Sequence, residues 1–180
     1  MDNTNKPLLI LDLDETLLHA NVEPIHKNFS YKTQFHFVYN RPHLKEFLIN
    51  TNKYFQLSVW SSGEKDYVEE LIEKSFPREI ILSFVWDRSH CTHTFDRKLK
   101  EQVYIKNLNK ITKEGFSLER TLIVDDSPEK FQLHRKNGIS IQPFLGDSND
   151  SELLKLKRYL QEIANISNFQ KFDKINWNHR

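Results

Sequence analysis

The chain has 180 residues, 26 Lys+Arg against 25 Asp+Glu, a formal net charge of +1, and is 38% hydrophobic and 28% charged. Its 13 Phe, 6 Tyr and 3 Trp exclude a disordered chain, 4 Gly exclude a collagen-like or linker sequence, and a single cysteine, Cys91, excludes an internal disulfide or a cysteine-based zinc cluster. Near-neutral charge sets aside a dedicated nucleic-acid binder. No aliphatic run exceeds Leu8 to Leu11, far short of the ~20 residues of a membrane span, and Met1 to Pro7 lacks the basic start and apolar centre of a signal peptide. These limits predict one soluble domain over residues 1–180, cytoplasmic, or nuclear if the source is eukaryotic, with neither membrane nor nucleic acid as partner.

In chain order, Leu8-Leu9-Ile10-Leu11 predicts a strand buried on both faces, running into Asp12 and Asp14. Residues 20–40 are irregular and then alternate through Phe35, Phe37 and Tyr39, which predicts a hairpin or flap. Arg41-Pro42 is expected to open a helix, Pro42 in its first turn and Leu44, Phe47 and Leu48 forming its apolar stripe. Tyr54 to Trp60 reads as the next strand, Ser61-Ser62-Gly63 as a turn, and Glu64 to Lys74 as a helix with Val68, Leu71 and Ile72 inward. Ile80 to Trp86 predicts a third strand and polar residues 87–102 a small surface insertion. Thr121-Leu122-Ile123-Val124 repeats the first pattern and ends in Asp125-Asp126. A helix over 129–137, a strand over 139–142 and a helix over 151–164 (Leu153, Leu156, Leu160, Ile163) follow. Phe169, Phe172 and Trp177 predict a docked tail. The expected fold is α/β: a Rossmann-like parallel sheet flanked by helices, with a core of about residues 7–165 and a tail over 166–180.

Ligands of such sheets bind at the carboxyl ends of the strands, where both acidic pairs fall. Asp12 and Asp14, two apart, leave the same face of an extended chain. Crowded in a dry strand end, one of them would take up a proton unless a cation compensated, and Asp125 and Asp126 would sharpen the conflict if they came near. A lone Asp-X-Asp is ordinarily a strand-end cap; two acidic pairs, each after four aliphatic residues, point instead to a hard divalent cation. Mg²⁺, which takes a few carboxylates with phosphate and water, is the expected cofactor, and Asp12, Asp14, Asp125 and Asp126 are its candidate ligands.

Asp12-Leu13-Asp14-Glu15-Thr16-Leu17-Leu18-His19 resembles the Asp-X-Asp-X-Thr signature of the haloacid dehalogenase superfamily. Its filling is similar to the branch of RNA polymerase II C-terminal-domain phosphatases and NLI-interacting-factor-like phosphatases. Val59-Trp60-Ser61-Ser62, Tyr104-Ile105-Lys106-Asn107-Leu108 and Leu122-Ile123-Val124-Asp125-Asp126-Ser127-Pro128 resemble the branch's later motifs in order, and Arg41-Pro42 its Arg-Pro pair. The resemblance implies a phosphatase of phosphoserine or phosphothreonine in proteins. Asp12 would be the nucleophile that becomes an aspartyl-phosphate, and Asp14 the acid and then the base. Thr16 would orient Asp12, and Ser61 or its neighbour Ser62 would donate to the phosphate. Lys106 would neutralise charge, Asp126 would meet the metal, and Asp125 would hold Lys106 or a metal-bound water. The alternatives are a catalytically silent binding module and a phosphatase of small metabolites or nucleic-acid ends.

His90-Cys91-Thr92-His93 lacks a fourth zinc ligand and reads as a surface turn. Arg88 and Arg97 read as solvated arginines, Phe84 and Trp86 as core, and Phe95 stays open between core and groove lining.

Overall fold

A computed structural model describes residues 6–96, 101–174 and 177. The strands are β1 (Leu8–Leu11), β2 (Leu18–Asn21), β3 (Tyr31–Lys32), β4 (Phe37–Asn40), β5 (Gln56–Trp60), β6 (Val85–Trp86), β7 (Thr92–Asp96), β8 (Glu101–Ile105), β9 (Thr121–Asp125) and β10 (Gly138–Ser140). The α-helices are α1 (Leu44–Thr51), α2 (Lys65–Ser75) and α3 (Glu152–Ile163). Five strands form one parallel sheet in the order β10-β9-β1-β5-β6. From β1 the chain builds outward through β5 and β6, then returns to the other side through β9 and β10. The order therefore reverses beside β1, and the crevice lies at the carboxyl ends of β1 and β9.

The aliphatic runs are continuous because this sheet is covered on both faces. Leu9, Leu11, Leu57, Val59, Leu122 and Val124 pack toward α1, α2 and α3, with Phe47, Val68 and Leu156 among their partners. Leu8, Ile10, Trp60 and Ile123 face the other way, onto Trp86, Leu108, Ile111 and Phe131. The tail supplies Phe169, stacked on Phe55, and Trp177, whose indole N–H donates to the Ser140 carbonyl at 2.7 Å.

The flap after β1 is a three-stranded antiparallel sheet, β2-β4-β3. Tyr39 ties it down: its hydroxyl receives the backbone N–H groups of Ile25 and His26 and donates to the His26 carbonyl.

Several local expectations are corrected. The first helix begins at Leu44, because His43 adopts a left-handed φ of 68° and turns the chain after Pro42. The strand expected over Ile80–Trp86 shortens to Val85–Trp86; Ile80 closes a turn onto Pro77, and Ile81 is exposed. Where an irregular insertion was expected, β7 and β8 pair antiparallel, and residues 97–100, Arg97 among them, lie outside the described residues. The helix expected over 129–137 is a 3₁₀ run broken at Phe131 and His134. There the Lys130 carbonyl leaves the helical ladder to accept the Lys106 N–H at 2.6 Å. Phe131 packs against Gly138, where a Cβ would stand 1.9 Å from its ring. The strand expected over 139–142 is Gly138–Ser140.

Candidate active site

β1 and β9 pair in register from Leu8↔Thr121 to Leu11↔Val124, so the residues that follow leave the sheet side by side. Asp12 continues that ladder through its N–H to the Val124 carbonyl at 3.0 Å. The chain then turns tightly: Thr16, Leu17 and Leu18 all donate backbone N–H groups to the Leu13 carbonyl, and Glu15 pays for the turn with a φ of 56°. Buried Arg41 holds this loop from behind. Its guanidinium donates to the Thr16 and Gln142 carbonyls at 3.0 and 2.9 Å and, bidentately, to Asp150 at 2.9 and 2.8 Å.

Carboxylate oxygens of Asp12, Asp125 and Asp126 lie within 4.8 Å of one another. Lys106, fully enclosed, extends its Nζ between two of them and donates to Asp12 Oδ1 and Asp125 Oδ2, each at 2.5 Å. Thr16 Oγ1 accepts the Asp126 N–H at 3.1 Å and lies 3.3 Å from Asp12 Oδ2, so one hydroxyl ties the two strand ends together. Five predicted residues, Asp12, Thr16, Lys106, Asp125 and Asp126, thus meet at one point.

Asp14 stands outside the carboxylate trio. Its carboxylate accepts a 2.5 Å hydrogen bond from the hydroxyl of Tyr67, on α2. Ser61 follows β5, the other neighbour of β1, and its hydroxyl accepts the Gly63 N–H at 2.9 Å. Ser62 lines the adjoining cleft, and its Oγ meets no hydrogen-bond partner among the described residues. That cleft, about 750 Å³, is bounded by Asp12, Asp14, Tyr67 and Lys130, by Phe35 and His36 of the flap, and by Arg88. Arg88 is no free surface group: it donates to the Ser62 carbonyl and to Glu64 and lies over the Tyr104 ring. Trp86 is buried with Phe84 tilted against it, while Phe95 is exposed.

Two participants escaped sequence reasoning. Tyr67 is an ordinary helix residue until folding aims it at Asp14. Lys130 carries no motif signal; its Nζ sits 3.8 Å from Asp12 Oδ2 and 3.9 Å from Asp125 Oδ1.

The site is electrostatically tense. Burial, and then repulsion from Asp12, push the carboxyls of Asp125 and Asp126 up. For Asp125 the ammoniums of Lys106 and Lys130 pull only part of the way back. Burial alone would lower Lys106 and Lys130, but the surrounding carboxylates, Asp12 first, reverse this and keep both charged. Asp14 is raised to about 6, chiefly by burial, against the Tyr67 hydrogen bond and with further repulsion from Asp12 and Glu15.

A parallel α/β sheet whose central strands β1 and β9 run into buried carboxylates beside an open cleft, with Lys106 brought to them from the end of β8, is the arrangement of the haloacid dehalogenase superfamily. Within it, the chain belongs to the NLI interacting factor-like phosphatase family, whose sequence model matches residues 7–170. It is 30% identical over 174 residues to CTD small phosphatase-like protein 3 of Caenorhabditis elegans, covering 91% of this chain and 56% of that protein. It is 28% identical over 178 residues to CTD nuclear envelope phosphatase 1B of Danio rerio, covering 91% and 69%. The chain thus spans about half the length of the first of these relatives. Among solved structures, Fcp1, an essential RNA polymerase II CTD phosphatase, matches with a TM-score of 0.65 at 16% identity, over 97% of this chain and 67% of that one. That likeness shows the fold.

Proposed function

We propose that the chain is one Mg²⁺-dependent phosphatase domain that hydrolyses phosphoserine or phosphothreonine in proteins through an aspartyl-phosphate on Asp12. The observation that carries this reading is the buried Asp12, held by Lys106 beside Asp125 and Asp126 at the floor of an open cleft.

Lys106 and Thr16 fix the Asp12 carboxylate, so its attack on phosphorus needs little reorganisation. The new bond joins an Asp12 oxygen to phosphorus as the ester P–O bond breaks. The leaving oxygen takes the proton of Asp14, whose carboxyl, raised to about 6, is mostly protonated in mild acid and only in a minority of molecules at neutrality. The Asp14 carboxylate then takes a proton from water, whose oxygen attacks phosphorus; the Asp12–phosphorus bond breaks, releasing phosphate and restoring both groups. The donor set fits a hard cation: it is all-oxygen, Asp12 and Asp125 are buried with Asp126 half-buried beside them, and burial followed by repulsion from Asp12 pushes the carboxyls of Asp125 and Asp126 up. Asp12, Asp125 and Asp126 would hold Mg²⁺, which supplies charge neutralisation on the phosphate oxygens.

Support for a protein substrate comes from a cleft far larger than a phosphate and from the relatives named as CTD phosphatases. Location is drawn toward the nucleus or nuclear envelope by relatives such as CTD nuclear envelope phosphatase 1B and nuclear envelope morphology protein 1 of Schizosaccharomyces pombe. No helix of the described residues is long and apolar enough to cross a membrane.

The test is turnover of an aryl phosphate and of a panel of phosphopeptides and phosphorylated metabolites, with Mg²⁺ and after chelation. Chelation is expected to remove activity and Mg²⁺ to restore it, with phosphopeptides the better substrates. Activity indifferent to chelation defeats the metal reading; inactivity toward every compound favours a silent binding module.

A pH prediction follows from Asp14. Its acid form is lost as pH rises through about 6, so turnover of an ester with a poor leaving group should fall above that pH. Tyr67→Phe deletes a hydrogen bond that stabilises the ionised form, so the descending limb should move to higher pH, by about one unit. A limb that stays put or moves down would remove Asp14 from the acid role.

A further inference from the structure

We infer that Lys130 is a phosphate-binding residue of this site, contacting the substrate's phosphate from the open side of Asp12; this rests on the phosphatase reading above.

Lys106 is poorly placed for that duty. It is fully buried, and its ammonium is committed to Asp12 and Asp125 at 2.5 Å each. Lys130 complements it. Its carbonyl accepts the Lys106 N–H at 2.6 Å, which fixes its backbone against the same site. Its side chain is 24% exposed and borders the cleft. At 3.8 and 3.9 Å from Asp12 and Asp125, its Nζ is close enough to be held by their charge but too far to hydrogen-bond. The ammonium therefore keeps its donors for a ligand, and one with closely spaced anionic oxygens arriving over Asp12 would meet them.

Charge balance points the same way. Among the described residues, Asp12, Asp14, Asp125 and Asp126, when ionised, face Lys106 and Lys130 as their short-range cations. A phosphate dianion entering such a pocket needs every cation there, and the only one of the two on the cleft wall is Lys130.

The experiment compares the full chain with Lys130→Met and Lys130→Arg. The readouts are KM and kcat for an aryl phosphate in Mg²⁺, the inhibition constant of inorganic phosphate, and urea unfolding. Lys130→Met should raise KM and the phosphate inhibition constant together, each about tenfold, as expected for one lost charge-assisted contact. kcat should change much less, and Lys130→Arg should recover most of the loss. Lys130→Met should lose some stability with the attraction of its ammonium to Asp12 and Asp125, so its urea curve serves to show that the kinetics are read on folded protein. Unchanged KM and inhibition constant in an active Lys130→Met protein would overturn this inference alone. A loss confined to kcat or to stability, which arginine does not recover, would make Lys130 a structural counter-charge and overturn it too. A wild-type chain that neither turns over the ester nor is inhibited by phosphate would bring down the phosphatase reading and this inference with it.

Discussion

Asp12→Asn is expected to abolish turnover, by about 10⁴-fold or more, while the protein stays folded. The amide cannot serve as the attacking carboxylate, and no neighbour can replace it: Asp125 is pinned by Lys106 and the Ser127 N–H, and Asp14 is turned toward Tyr67. Stability should move little, or rise. The substitution removes one of two carboxylates crowded around one buried ammonium and relieves the repulsion that pushes Asp125 up. Lys106 keeps Asp125 as its partner. Steady-state kinetics and urea unfolding on the same preparation check both halves. Retained activity above about one per cent of wild type would remove Asp12 from the nucleophile's role.

Lys106→Met should do what Asp12→Asn does not and damage the fold as well as the chemistry. It leaves the Asp12 and Asp125 carboxylates buried and facing each other without the ammonium that separates them. Stranding buried charge in this way costs about 3–5 kcal/mol. Lys130 compensates only in part, through its charge at 3.8 and 3.9 Å and without a hydrogen bond to either. The sign with pH is definite. The stranded pair binds protons more tightly in the folded state than in the unfolded one, so the variant is least destabilised in acid and loses ground as pH rises. On the metal reading proposed above, Mg²⁺ should recover part of the loss by linkage, since a ligand of the folded trio favours the folded state. Urea unfolding at two pH values, with and without Mg²⁺, measures all of this. A Lys106→Met protein as stable as wild type at neutral pH, without metal, would show that the buried triad is not the charge balance described here.

The reason two residues as close as Asp12 and Asp14 diverge is local. Asp12 still belongs to the β1–β9 ladder, through its N–H to Val124, and its carboxylate stays with the buried trio. Two residues later the chain has entered the turn closed on Leu13, and Asp14 points toward α2. The same-face expectation for alternate residues holds only while backbone is extended, and it ends one residue beyond Asp12. That divergence gives the two carboxyls different surroundings: Asp12 is held by Lys106, while Asp14, chiefly through burial, is raised to about 6, as a group that must give up a proton requires.

Much of the architecture was legible in the residue order because the central strands of a covered parallel sheet must be aliphatic throughout. Leu8–Leu11 and Thr121–Val124 could therefore be recognised without neighbours, and the carboxylates after them placed at the strand ends. Elements held by scattered contacts were harder. The run after Pro128 has helical composition, yet one carbonyl, that of Lys130, is diverted to Lys106 and the helix breaks. Val85–Trp86 is an edge strand short enough to be lost within a longer apolar stretch. Thr92–Asp96 and Glu101–Ile105 pair with each other, a relation composition alone does not express.

What the amino-acid order determined by itself is the chemistry available: two carboxylate pairs at the ends of buried strands, a threonine and a serine beside them, and a lysine between. What only the tertiary structure decided is which of these touch. Strand pairing brings Asp12 to Asp125 and Asp126 across more than a hundred residues of chain, α2 delivers Tyr67 to Asp14, and a broken 3₁₀ run swings Lys130 to the rim. Side-chain type is local information, whereas distance between segments is set by the packing of the whole sheet and its covering layers. The tension that tunes Asp14 and Asp125 comes from burial and neighbouring charge, and so exists only in the folded molecule.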